Sequence, residues 1–169
     1  LLHVMQSYKP QVVGIATTCL AETIGDDVKL FLHEFKKKHE SKLRGVELVP
    51  VSTPAYSGTH IAGFWSATRE LVSTLATEGP EQQFIGMFPG MVSPADIRHL
   101  KEILKDFRMA NVIAPDYSDT LDGPVWEDYT KMPPGGTPVD HIRALGGAMG
   151  HVEFTAAMPE HFLPGTVLA

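Results

Sequence analysis

Cysteine occurs once in the 169 residues, at position 19. One thiol excludes an internal disulfide framework, and it also excludes a self-contained iron-sulfur site, because such clusters draw on several thiolates. Basic residues are in deficit: 14 Lys and Arg stand against 20 Asp and Glu, and the formal charge of −6 leaves no electrostatic footprint for nucleic acid or anionic lipid. The run Lys36-Lys37-Lys38 is the local exception and reads as the solvated end of a helix, where cations suit the macrodipole. No apolar run reaches the length of a bilayer span and no tripartite signal opens the chain. A soluble, cytoplasmic protein with no nucleic-acid or membrane partner is expected. The eight histidines show no H-x-x-x-H or H-E-x-x-H spacing, and the Walker lysine, G-x-G-x-x-G and G-x-S-x-G are all missing. Their absence argues against an autonomous zinc site, a dinucleotide or P-loop cradle, and an α/β-hydrolase elbow.

What is present is an alternation of short β-branched runs with helical patterns, the signature of an α/β fold: an open, mainly parallel, Rossmann-like sheet of about five strands with helices on both faces, in three layers. The strands are expected at Gln11–Thr18, Val46–Val51, Phe84–Phe88, Ala110–Ala114 and His151–Thr155. The first is continuously apolar, as a strand buried on both faces is. From Leu20 to His39, the residues Leu20, Ile24, Val28, Phe31, Leu32 and Phe35 recur at steps of three or four and predict one amphipathic helix. A second helix from Thr59 to Leu75 places Ile61, Phe64, Trp65, Thr68, Leu71, Val72 and Leu75 inward. Ser93-Pro94-Ala95-Asp96 is a helix start, with Ile97, Leu100, Ile103, Leu104 and Phe107 as its packing face. Thr137-Pro138-Val139-Asp140 repeats that cap grammar, and the connection Asp116–Gly136 reads as a long loop. The chain is expected to be one compact α/β unit over 1–169, an excerpt of a larger multi-domain chain, with a candidate sub-boundary near 77–83. Surfaces covered by neighbouring domains should then leave apolar patches exposed.

Thr17-Thr18-Cys19-Leu20 lies where the first strand passes into a helix, the edge at which open α/β sheets place ligands. Helix-start amides there would favour thiolate, the form that binds iron. The competing reading is a buried cysteine acting as a small hydrophobe. Asp116, Asp119 and Asp122 share a loop but lack a calcium-loop pattern, so they are expected to form Asx-type turns. His60 reads as a hydrogen-bonding surface residue at a helix start, and Gly135-Gly136-Thr137-Pro138 as a stretch that can present amides to an anion.

The string Thr17-Thr18-Cys19-Leu20-Ala21-Glu22-Thr23-Ile24-Gly25-Asp26-Asp27 resembles the T-T-C-x-A-E-x-I-G-D-D motif of nitrogenase component 1 (molybdenum-iron protein) beta chains. Thr53-Pro54-Ala55-Tyr56-Ser57-Gly58-Thr59-His60-Ile61-Ala62-Gly63 is similar to the family's T-P-S-F-V-G-S-H-V-T-G. Phe88-Pro89-Gly90, then Pro115-Asp116-Tyr117-Ser118-Asp119-Thr120-Leu121-Asp122-Gly123, then Gly135-Gly136-Thr137 follow in the family's order. The resemblance implies an internal fragment of the beta subunit of a nitrogenase-type iron-sulfur oxidoreductase, an enzyme that reduces dinitrogen as part of the full complex. It implies Cys19 as metal ligand and cofactor-binding residue of an 8Fe-7S P-cluster that relays electrons to the alpha-chain cofactor. It also implies as partners a nitrogenase alpha chain, the nitrogenase iron protein and a beta-beta contact in a heterotetramer. An isolated fragment is expected to be inactive and to lack the cluster. Where the family can bind the oxidised cluster through a serine hydroxyl, this chain has Ala55, with Tyr56 and Ser57 beside it. Two alternatives stay open: a beta-type scaffold chain for nitrogenase cofactor assembly, in which a non-cysteine residue usually stands at the position of Cys19, and a plain α/β ligand-binding module.

Overall fold

The computed structural model describes residues 1–123, 128–132, 134–155 and 158–168. Within the Asp116–Gly136 connection, positions 124–127 and 133 lie outside the described residues. The helices are α1 (Leu2–Tyr8), α2 (Cys19–Ile24), α3 (Val28–Lys38), α4 (His60–Leu75), α5 (Pro94–Asp106) and α6 (Val139–Ala144). The strands are β1 (Val12–Ala16), β2 (Glu47–Val51), β3 (Gln82–Phe88), β4 (Asn111–Ile113) and β5 (Ala148–Glu153), and short 3-10 turns follow at Glu160–Phe162 and Pro164–Val167.

The α/β class and the five strands of the sequence reading are present, and every described pairing is parallel. The strands are divided between two sheets, β1-β2 and β4-β3-β5. The second sheet shows why the layers form. Strand side chains alternate, so Phe84 and Phe88 of β3 with Val112 of β4 face one side, against Trp65, Val72 and Leu75 of α4 and Ile142 of α6. Met87 and Ile113 face the other side, against Ile97 and Leu104 of α5. Helices therefore cover both faces. Val12 of β1 packs against the first of these clusters, and α4 lies along β2.

Three expectations are corrected. The stretch Leu20–His39 is two helices, because Gly25 adopts a left-handed φ of 78° that closes α2 and Asp27 caps α3 by accepting from the Leu30 N–H at 2.9 Å. Strand β1 is not buried on both faces: Gly14 and Ala16 are exposed, and among the described residues β1 pairs with β2 alone. Thr137 does not cap α6. Its hydroxyl donates to the Ile113 carbonyl at 2.7 Å and accepts from the Asp116 N–H at 2.8 Å, so it ties α6 to the end of β4.

Helix α5 begins as its sequence predicts, with Ser93 and Asp96 forming a reciprocal capping box. Its outer apolar residues Ile103 and Phe107 are exposed, as is Ile61 of α4, because no described element packs on those positions. The lysine run lies in the last turn of α3. Among the described residues, no helix is long and apolar enough to cross a membrane.

Candidate functional site

Cys19 is the first residue of α2, directly after β1, and is exposed. The buried-hydrophobe reading of this thiol therefore fails. Helix α2 has only six residues, and none of them is buried. Apolar packing does not hold it in place. Leu20 and Ile24 are 70% and 64% exposed.

Polar contacts across the ends of β1 and β2 hold it instead. The Thr17 N–H donates to the Val51 carbonyl at 2.9 Å, continuing the parallel ladder one residue beyond the strands. The Thr17 hydroxyl donates to Oε1 of Glu22, and the Ser52 hydroxyl donates to the same oxygen at 2.6 Å. Thr53 closes the arrangement: its hydroxyl donates to the Thr17 carbonyl at 3.1 Å and its N–H reaches the Thr17 hydroxyl at 3.4 Å. The hydrogen bonds from Ser52 and then Thr17 hold the Glu22 carboxyl below the usual carboxylate range, with burial opposing them weakly. In the sequence, Glu22 stands only as one letter of the resembled motif. Its partner Ser52 lies thirty positions away in sequence, and only the adjacency of β1 and β2 brings them together.

Beyond Thr53 the chain turns through Pro54-Ala55-Tyr56-Ser57-Gly58 to Thr59, which caps α4 by accepting from the Ala62 N–H at 3.3 Å. A cavity of ≈ 340 Å³ is lined here by Thr53, Ala55, Ser57, His60, Ser66 and Phe162. A smaller one of ≈ 210 Å³ is lined by Thr17, Glu22, Asp26, Asp27 and Glu70. Cys19 lines neither. His60 is exposed at the first position of α4.

The ends of β3 and β4 carry a second polar constellation. The Tyr117 hydroxyl lies 2.7 Å from the Val92 carbonyl and accepts from the Val92 N–H at 2.9 Å, so the loop after β4 clasps the loop after β3. Asp116 forms the expected Asx turn, accepting from the Ser118 N–H at 3.1 Å, and its other oxygen meets Lys101 Nζ at 2.6 Å. Asp122 instead pairs with Arg98 through two bonds of 2.7 and 2.9 Å. Lys101 and Arg98 sit on α5 and were not singled out in the sequence. This constellation is saturated by its own partners. It fits a loop anchor better than an ion site.

Among the described residues, no group of three or more His, Cys, Asp or Glu is placed to hold a metal ion. The donor set is a single accessible thiol at a strand end, which suits one ligand of a cluster whose other ligands come from elsewhere.

A model of the family described as Nitrogenase component 1 type Oxidoreductase matches residues 1–161. The chain is 31% identical over 147 residues to a nitrogenase molybdenum-iron protein beta chain of Clostridium pasteurianum, covering 86% of this chain and 32% of that one. It is 33% identical over 152 residues to the nitrogenase iron-molybdenum cofactor biosynthesis protein NifN of Mesorhizobium japonicum, covering 88% of this chain and 33% of that one. A solved structure titled "Nitrogenase Cp1 at pH 6.5" superposes with a TM-score of 0.84 at 29% identity, over 89% of this chain and 33% of that one. The chain thus spans about a third of the length of the curated relatives it matches.

Proposed function

The chain belongs to the nitrogenase component 1 type oxidoreductase family, and from that premise we propose that its parent protein is a reductase beta subunit in which Cys19 is a ligand of an 8Fe-7S P-cluster. The observation that carries the proposal is the position of Cys19: an exposed thiol at the end of a parallel strand, on a turn fastened to the neighbouring strand's loop. An accessible thiol can meet ligands from a second chain, and a subunit boundary that closes over it excludes water. When bound, the cluster supplies one-electron relay towards the alpha-chain cofactor for dinitrogen reduction. This chain's own contribution is one thiolate and the frame that orients it. Ala55, on the adjacent loop, has no donor atom, so the oxidation-dependent serine ligand of the resembled motif has no counterpart at that position. The partners are a nitrogenase alpha chain, a second beta chain across a heterotetramer and a transiently docked iron protein, and the assembly is cytoplasmic.

A scaffold for cofactor assembly is the second reading, favoured by the 33% identity to NifN. The two readings part at Cys19. The full-length parent chain is purified with its alpha partner, with and without Cys19→Ala, and assayed for iron and for electron delivery from the iron protein. The reductase reading expects Cys19→Ala to lose iron and to abolish delivery. Unchanged iron and an unchanged reduced-cluster spectrum would overturn it. Retained cofactor maturation with no dinitrogen reduction by the unmodified complex would favour the scaffold.

A further inference from the structure

We propose that Glu22 is a positioning residue for Cys19, acting through a clasp that makes the turn after β1 and the loop after β2 one unit. The inference deepens the cluster-ligand reading of Cys19 and rests on it. Its physical basis is a deficit. A short helix is ordinarily fixed by the apolar face it buries, and α2 buries none of its residues. Its backbone is tied at one end by Thr17 to Val51 and closed at the other by the left-handed Gly25. Between these points, the one side chain of α2 bonded to the neighbouring strand end is that of Glu22, which receives hydroxyls from both sides on one oxygen.

A ligand has to be held within about 0.5 Å of its working position by groups that are themselves immobilised. Cys19 and Glu22 are three residues apart on α2 and therefore share a face of the helix. Fixing the carboxylate fixes the roll of the helix and with it the direction of the thiol. Through Ser52 the same carboxylate fixes the start of the loop that carries Ala55, and Thr53 adds a tie from that loop to the Thr17 carbonyl. The clasp thus sets the spacing between the two loops that face the proposed cluster.

The test separates positioning from folding and from ligation. Full-length parent chain in complex with its alpha partner is prepared as wild type, Glu22→Ala and Glu22→Gln, the last keeping a carbonyl oxygen that can accept both hydroxyls. Amide hydrogen exchange is followed over residues 17–22 and 52–59 in iron-free complex, and the reduced-cluster spectrum and midpoint potential are read in loaded complex. Glu22→Ala is expected to speed exchange in both segments roughly three- to tenfold, the loss of one to two ordinary hydrogen bonds, and to broaden the spectrum and shift the potential. Glu22→Gln is expected to restore both. Wild-type exchange in Glu22→Ala contradicts the clasp whatever Cys19 binds, and faster exchange with an unaltered spectrum and potential contradicts positioning. Failure of the ligand reading shows separately, as iron retained in Cys19→Ala. If Glu22→Ala does not fold, Ser52→Ala removes the β2-side donor alone and is expected to change the same readouts in the same direction, by roughly two- to threefold; no change in either overturns the proposal.

Discussion

At Gly90 two demands meet in one residue: its φ is +75°, and a Cβ placed there would stand 2.8 Å from Cζ2 of the buried Trp65. Gly90→Ala combines backbone strain with overpacking and should destabilise the chain by about 1–3 kcal/mol, read as a lower urea midpoint at unchanged slope. Asp116 makes a different kind of prediction. Burial would raise its carboxyl, but hydrogen bonds from Lys101 and from the Ser118 side chain and backbone outweigh burial and hold it below the ordinary range. A depressed folded value means the carboxylate favours the native state above the unfolded value of about 3.9, and that contribution fades as pH falls through the folded value. Asp116→Asn should therefore lower Tm clearly at pH 7, and the gap to wild type should close as pH drops below about 4. A gap that stays constant with pH would mean that charge is not the cause. The Asx turn at Asp116 was legible in the sequence, because a turn is a local event. Lys101 was not, since it lies on a helix and reaches the loop only after folding.

At the scale of elements, local grammar was read well where the signal was strong and failed where periodicity ran across a break. Ser93 and Asp96 announce α5 and form both bonds of a capping box. Ser93→Ala should cost about 1 kcal/mol, seen as a lower Tm with the loss centred on exchange of the first turn of α5. The apolar residues Leu20, Ile24, Val28 and Phe31 keep steps of three or four through Gly25-Asp26-Asp27, so the pattern predicts one helix. The left-handed glycine and the aspartate cap decide for two. In β1 an unbroken apolar run suggested burial on both faces, but a run records only that residues tolerate burial. Gly14 and Ala16 are small enough to stand exposed without a large apolar cost.

For the whole molecule, the three-layer arrangement follows from strand alternation, with Phe84 and Phe88 turned to α4 and Met87 to α5. The division into two sheets was not legible, because strand neighbours are chosen by long-range packing. The motif in the sequence singles out Cys19 as the proposed ligand, whereas the contacts that fasten its turn were hidden: Thr17 and Glu22 are local, but Ser52 and Thr53 join them only through β2. Leu20 and Ile24 of α2 and Phe31 of α3 are exposed. Under the proposed function Cys19 is bonded to iron in the parent complex, and alkylation of unmodified full-length complex with its alpha partner tests this most directly. Mass spectrometry should find Cys19 unlabelled before iron is chelated and fully labelled afterwards with the subunits still associated; equal labelling before and after would contradict the account.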